Sequence, residues 1–129
     1  MELQYLSANT DSDEIANQLE KDGALVVTDV IQQSEIEQLI SEIGPFIDNT
    51  PTGKDDFSGY HTQRTGALIS RSATCRSLVT NDLIFGAANK YLAPFTRKIL
   101  LHLPQAIKIK PGGEDQVLHR DRLAWGSYL

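Results

Sequence analysis

Near its C-terminal end the chain reads LHRDRLAW, residues 118 to 125, with His119 two positions before Asp121. On an extended strand, residues i and i+2 project to the same face, so this imidazole and carboxylate would converge while Arg120 and Arg122 point the other way. Two such groups are adjacent donors for one metal ion. Joined by a second imidazole from elsewhere, they make the facial triad that holds Fe(II) and leaves open positions for a cosubstrate and O₂. A structural ion pair or an exposed strand face uses the same residues. With three histidines and 17 acidic residues in the chain, the pair alone does not separate these readings.

The remaining chemistry-bearing side chains are scattered. Cys75 is the single cysteine, so it has no internal disulfide partner, and with no His or second Cys nearby it reads as a plain, partly buried thiol. His102 sits inside an apolar run and is expected to be a partly buried histidine with a backbone partner. His61 lies on a polar stretch, and neither is expected to act as a third metal ligand.

The elements that must position these residues carry readable punctuation. Capping residues at Thr10 to Asp13, an apolar face of Ile15, Ala16 and Leu19, and a stop at Gly23 predict a first helix. ALVVTDV, residues 24 to 30, is short and β-branched and predicts a strand. Ser34 and Glu37 have capping-box spacing, Ile36, Leu39, Ile40 and Ile43 share one face, and Gly44-Pro45 is expected to end the helix. Residues 48 to 65 are polar and rich in turn formers, and predict a long loop of the kind that is either a functional lid or disordered. A further helix is predicted from Asn81 to Leu92. Residues 99 to 103, 105 to 110 and 116 to 125 are strand candidates, the last two joined by the tight-turn signal Pro111-Gly112-Gly113. Helices first and strands afterwards give an α+β expectation.

Bulk properties narrow the function classes. At 129 residues, 40% apolar and 22% charged, the chain has the makeup of one soluble globular domain. Its net charge of −5 and dispersed basic residues argue against nucleic-acid binding. No apolar run reaches the roughly 20 residues that span a bilayer, and the acidic start MELQYLSANTDSDE lacks the character of a secretory signal. The expectation is a cytoplasmic protein with a small-molecule substrate and neither nucleic-acid nor membrane partners.

Three stretches, in order, change the weight of the His-x-Asp pair. DGALVVTDVIQQSEIEQLISEI, TQRTGALISRSATCRSLVTNDLIFGAANKYLAP and LPQAIKIKPGGEDQVLHRDRLAW together resemble the phytanoyl-CoA dioxygenase family of Fe(II) and 2-oxoglutarate dependent oxygenases over nearly the whole chain. The resemblance implies that His119 and Asp121 match the family's first two iron ligands, and that Gln105 matches a position approaching the 2-oxoglutarate. The alternative for Gln105 is an ordinary solvent-facing strand residue. Gln116 recurs in the motif, where a hydrogen bond would orient the metal ligands. Trp125 would line the substrate cavity or fill the core, and Arg64 would meet an anionic substrate or remain solvated.

The family's second iron-binding His, and the Arg that pairs with 2-oxoglutarate, lie well downstream of the His-x-Asp, and only four residues follow Trp125 here. A jelly roll takes eight strands in two sheets, so the fold implied is α+β, N-terminal helices packed on the first strands of a double-stranded β-helix that is incomplete in residues 1 to 129. Unpaired strand edges would then favour self-association or a partner chain. Three readings follow: an oxygenase fragment inactive alone, one half of a split oxygenase, or a non-catalytic binding module.

Overall fold

The computed structural model describes residues 3–116, 118 and 119. It opens with β1 (Gln4–Ser7), α1 (Ser12–Asp22) and β2 (Leu25–Thr28), the two strands running parallel with the helix as their crossover. The helix and β2 fall where the sequence places them; β1 was not anticipated, because four residues carry too short a pattern to read. Asp11 accepts the Asp13 N–H at 2.6 Å and so caps α1. Gly23, at φ 77°, closes the helix by donating its N–H to the Leu19 carbonyl. Asn81 caps α5 (Asp82–Leu92) by accepting from Leu83 and Ile84. α1 packs on α5, and the two helices bury Ile15, Ala16 and Ala87. Lys90 joins their ends through ion pairs to Asp13 and Asp11.

The second helix corrects the sequence reading at both ends. α2 runs Gln33–Asp48, and Glu35, not Glu37, turns back to accept the Gln32 N–H at 2.8 Å. It also passes through Pro45. A proline ring normally strikes the Cβ of the residue before it, and that residue is Gly44, which has none. The helix loses one donor and continues for three residues, which brings the carbonyl of Ile47, and that of Thr50 just beyond, against the next strand.

That strand is the largest correction. Residues 62 to 65, assigned by composition to the long loop, form β3 (Thr62–Thr65), which pairs antiparallel with β4 (Ala106–Ile109) in the register Thr62 to Ile109 through Thr65 to Ala106. Its polar side chains bury because they find partners. Gln63, 3% exposed, donates through Nε2 to the carbonyls of Ile47 and Thr50, and Thr65 donates to the Thr50 hydroxyl at 2.8 Å. Gln63 Oε1 is buried with no hydrogen-bond partner among the described residues.

Two short helices, α3 (Leu68–Arg71) and α4 (Ala73–Val79), follow. Cys75 on α4 is buried, further in than expected. Ser72 caps α4, and Glu42 of α2 accepts the Ser72 hydroxyl and the Thr74 N–H while Gln38 donates to its other oxygen. The Ser72 hydroxyl first, then the Gln38 amide and the Thr74 N–H, push the Glu42 carboxyl down to about 2.

The expected strand at 99 to 103 does not form. A strand exists through its ladder, and no described residue pairs with this one; Leu100 is 88% exposed, and His102 is exposed rather than partly buried. β4 is shorter than predicted and is followed by the expected turn, in which Gly112 takes φ 82° and Gly113 donates to the Lys110 carbonyl. Of the strand expected at 116 to 125, Gln116, Leu118 and His119 are not in a strand, and Asp121 and Trp125 lie outside the described residues. The described part is therefore helices with two small two-stranded sheets. None of its helices is long and apolar enough to cross a membrane.

Replacing Gln63 by Leu keeps the volume but leaves the Ile47 and Thr50 carbonyls without their donor. It should lower unfolding stability by about 1–3 kcal/mol in a denaturant titration. Because the Glu42 carboxyl is held below its usual 4.5, its contribution is complete above pH 4.5 and disappears as pH falls toward 2. Glu42→Gln should flatten that acid limb of the stability profile, read by denaturant midpoints at successive pH values.

Candidate functional site

The two faces of the β3–β4 pair have opposite roles. Directly opposed residues of an antiparallel pair share a face, so Gln63 and Thr65 lie with Lys108 and Ala106 toward α2, where Lys108 Nζ stands 3.5 Å from Asp48. Thr62 and Arg64 lie with Ile109 and Ile107 on the other face and line a cavity of about 260 Å³. Across that cavity stand Asp56 and Tyr60 of the preceding loop and Glu114 beyond the turn. A neighbouring cavity of about 240 Å³ shares Asp56, Glu114 and Gln116 and is lined also by Phe57 and His119.

The loop between them, residues 51 to 61, is built rather than slack. Ser58 donates its N–H to the Asp55 carboxylate at 2.6 Å, and its hydroxyl oxygen accepts from Lys54 and Asp55. The Ser58 N–H first, and its hydroxyl next, hold the Asp55 carboxyl below its ordinary range. Gly59 takes φ 78°, and Gly53 donates to the Thr62 carbonyl, tying the loop to β3. At Gly53 a Cβ would lie 2.6 Å from the Gly59 carbonyl oxygen and from Ser58 backbone, so only glycine fits.

This loop supports His119. Phe57 meets the imidazole edge to face, with ring centres 5.9 Å apart and planes at 61°. Gln116 Nε2 donates to the Phe57 carbonyl at 3.0 Å. Gln116 thus acts on the loop that orients the histidine, a role its place in the motif did not reveal.

The sequence-derived candidates come together in part. His119 and Gln116 share one cavity, and Arg64, His61 and Gln116 share the other. Gln105 stands one residue before β4, half-buried, and is not among the described residues lining either cavity. Along β4 it is roughly 13 Å from Ile109. Phe57, Asp56 and Glu114 were missed; the alternation in AIKI, which sets Ile107 and Ile109 on one face, was the signal that could have located the cavity floor.

For a metal, the donor types suit a divalent ion, since one imidazole faces a space bordered by Asp56, Glu114 and Asp115. No group of three His, Cys, Asp or Glu among the described residues is placed to hold one. His119 is the one expected ligand within them.

Relatives of known name bear on the chemistry. The chain is 31% identical to the dioxygenase FUM3 of Gibberella moniliformis over 98% of its own length and 45% of that protein's. It is 28% identical to the dioxygenase ALT11 of Alternaria alternata, over 92% of the chain and 43% of the relative, and 26% identical to the dioxygenase sphC of Aspergillus fumigatus, over 99% and 38%. The chain spans less than half the length of these curated relatives. No protein-family model matches it.

Gly53→Ala should open the loop. The expected result is faster limited proteolysis between residues 53 and 59, together with loss of the ring-current shift that Phe57 imposes on the His119 ring protons in NMR spectra.

Proposed function

We propose that this chain is the N-terminal part of a non-haem Fe(II) and 2-oxoglutarate dependent dioxygenase that hydroxylates a small organic substrate, and that it is inactive alone. The observation that carries the reading is the similarity to named dioxygenases along almost all of the chain but under half of theirs. In this reading His119 and Asp121 hold the iron, with the family's downstream His and Arg supplied by further protein, and the chain's strands are the first of a jelly roll. Bound Fe(II) and 2-oxoglutarate would supply the oxidising chemistry that amino-acid side chains lack.

The chain's own residues have narrower tasks. Phe57 lies edge to face with the His119 imidazole, a contact that favours one ring orientation and so one direction for its donor nitrogen. Gln116 ties the strand-exit segment to the Phe57 backbone, so loop and ligand move together. The built loop and the Ile107–Ile109 floor give the substrate one wet wall and one apolar wall.

Exposed apolar side chains support the need for more protein. Leu100, Leu101 and Leu103 are each more than half exposed, as are Ile107 and Ile109, a density unusual for a finished monomer. The same observation favours the split-oxygenase reading, in which the covering half is a separate chain.

The pure chain, given Fe(II), ascorbate and 2-oxoglutarate, should release no succinate above background; robust succinate release would overturn the reading. Mn(II) should broaden the His119 resonances weakly and selectively, and Asp121→Ala should abolish the broadening.

A further inference from the structure

The cavity over the β3–β4 face is chemically polarised. Arg64, half-buried, lines it from the Ile107 end of β3 and makes no ion pair or hydrogen bond to another described side chain. It sits opposite Ile107, two residues further along β3 than Thr62, which is roughly 6.6 Å deeper into the sheet than the loop end. Asp56, in the loop that enters β3, and Glu114, just past the turn that leaves β4, line it as well, and both stretches of chain adjoin that loop end. Between the poles lie Ile107 and Ile109, each more than half exposed.

We infer that this cavity is the seat of the substrate rather than of the 2-oxo acid, and that its ligand class is a small molecule with a carboxylate at one end, a protonated amine at the other and an apolar chain between. The inference rests on the oxygenase reading only in calling this ligand the substrate. A half-buried arginine that no described carboxylate pairs is favoured by an anion that meets it, and its planar fork matches a carboxylate through two parallel hydrogen bonds. Two carboxylates at the far end repel a second anion and attract an ammonium. The 2-oxo dicarboxylate, negative at both ends, fits this arrangement poorly. A volume of about 260 Å³ lies just under the usual range for small-molecule sites, about 300–1,000 Å³, which limits the ligand to a compact one. The neighbouring cavity places His119 next to this seat through the shared residues Asp56, Glu114 and Gln116, so a ligand held here lies beside the expected metal ligand.

The test uses the whole chain without metal, and four probes: 6-aminohexanoate, hexanoate, hexylamine and 2-oxoglutarate. Amide shifts of Tyr60, Arg64, Ile107 and Ile109 are followed by NMR titration. The expected order is 6-aminohexanoate tightest, hexanoate and hexylamine weaker, and 2-oxoglutarate weakest. Arg64→Gln should weaken 6-aminohexanoate and hexanoate by about tenfold or more and leave hexylamine unchanged. Should that variant fail to fold, Arg64→Lys retains the charge without the fork and should weaken the two carboxylates several-fold. Equal binding of 6-aminohexanoate to the wild type and the Arg64 variants, tighter binding of 2-oxoglutarate than of 6-aminohexanoate, or no shift at these residues overturns the inference. Mn(II) broadening of His119, measured in parallel samples without the four probes, reports separately on the metal reading, so the two can fail independently.

Discussion

A polar strand buried at three of its four residues is the constraint from which the site follows. Residues 62 to 65 have no apolar side chain, and a strand like that enters a protein interior only where hydrogen-bond partners await it. The last turn of α2 and the residues after it provide them, as Ile47 and Thr50 offer carbonyls and Thr50 a hydroxyl. Those acceptors are in place because α2 does not stop at Pro45. Once Gln63 and Thr65 are committed to α2, the two-residue period of the strand forces Thr62 and Arg64 to the opposite face, and β4 brings Ile107 and Ile109 beside them. The cavity is thus a consequence of where α2 ends.

The surface shows how far the described packing goes. Among the described residues the buried apolar side chains are few: Ile15, Ala16, Leu68, Cys75 and Ala87. Packing is closed between α1 and α5 and between α2 and β3, and open along residues 95 to 103 and over β4. Of these open regions, β4 carries the floor of the site.

Local signals were legible wherever the physics was local. The Asp11 region, Gly23 and Asn81 mark helix ends because capping depends on a few adjacent residues, and Pro111-Gly112-Gly113 specifies its turn by backbone freedom alone. β3 was hidden because its burial is decided 13 and 16 residues away, at Thr50 and Ile47, and no period-2 apolar pattern announces it. The leucines at 100 to 103 misled in the opposite sense: strand-like composition formed no strand without a described partner. Of the site, the identities of His119, Gln116 and Arg64 were readable as chemistry, but the loop that joins them was not. Phe57 carries no motif, and its importance comes from a ring contact and a backbone carbonyl.

That loop decides how the two cavities relate. Held open only by polar side chains, a segment from 51 to 61 would sample many conformations and orient nothing. Instead the Asp55–Ser58 bonds close it on itself, Gly53 ties it to β3, and Gly59 admits a backbone turn that other residues resist. One wall of the Arg64 cavity and one support of His119 are therefore the same rigid piece of chain. Displacing Tyr60 or Asp56 by a ligand in the first cavity must load the backbone that carries Phe57 in the second, three residues before Tyr60 and one after Asp56. The polar bonds within the loop act as the stiffener between the two, because the apolar contacts there, with Phe57 and Tyr60 both more than half exposed, are too sparse to hold it.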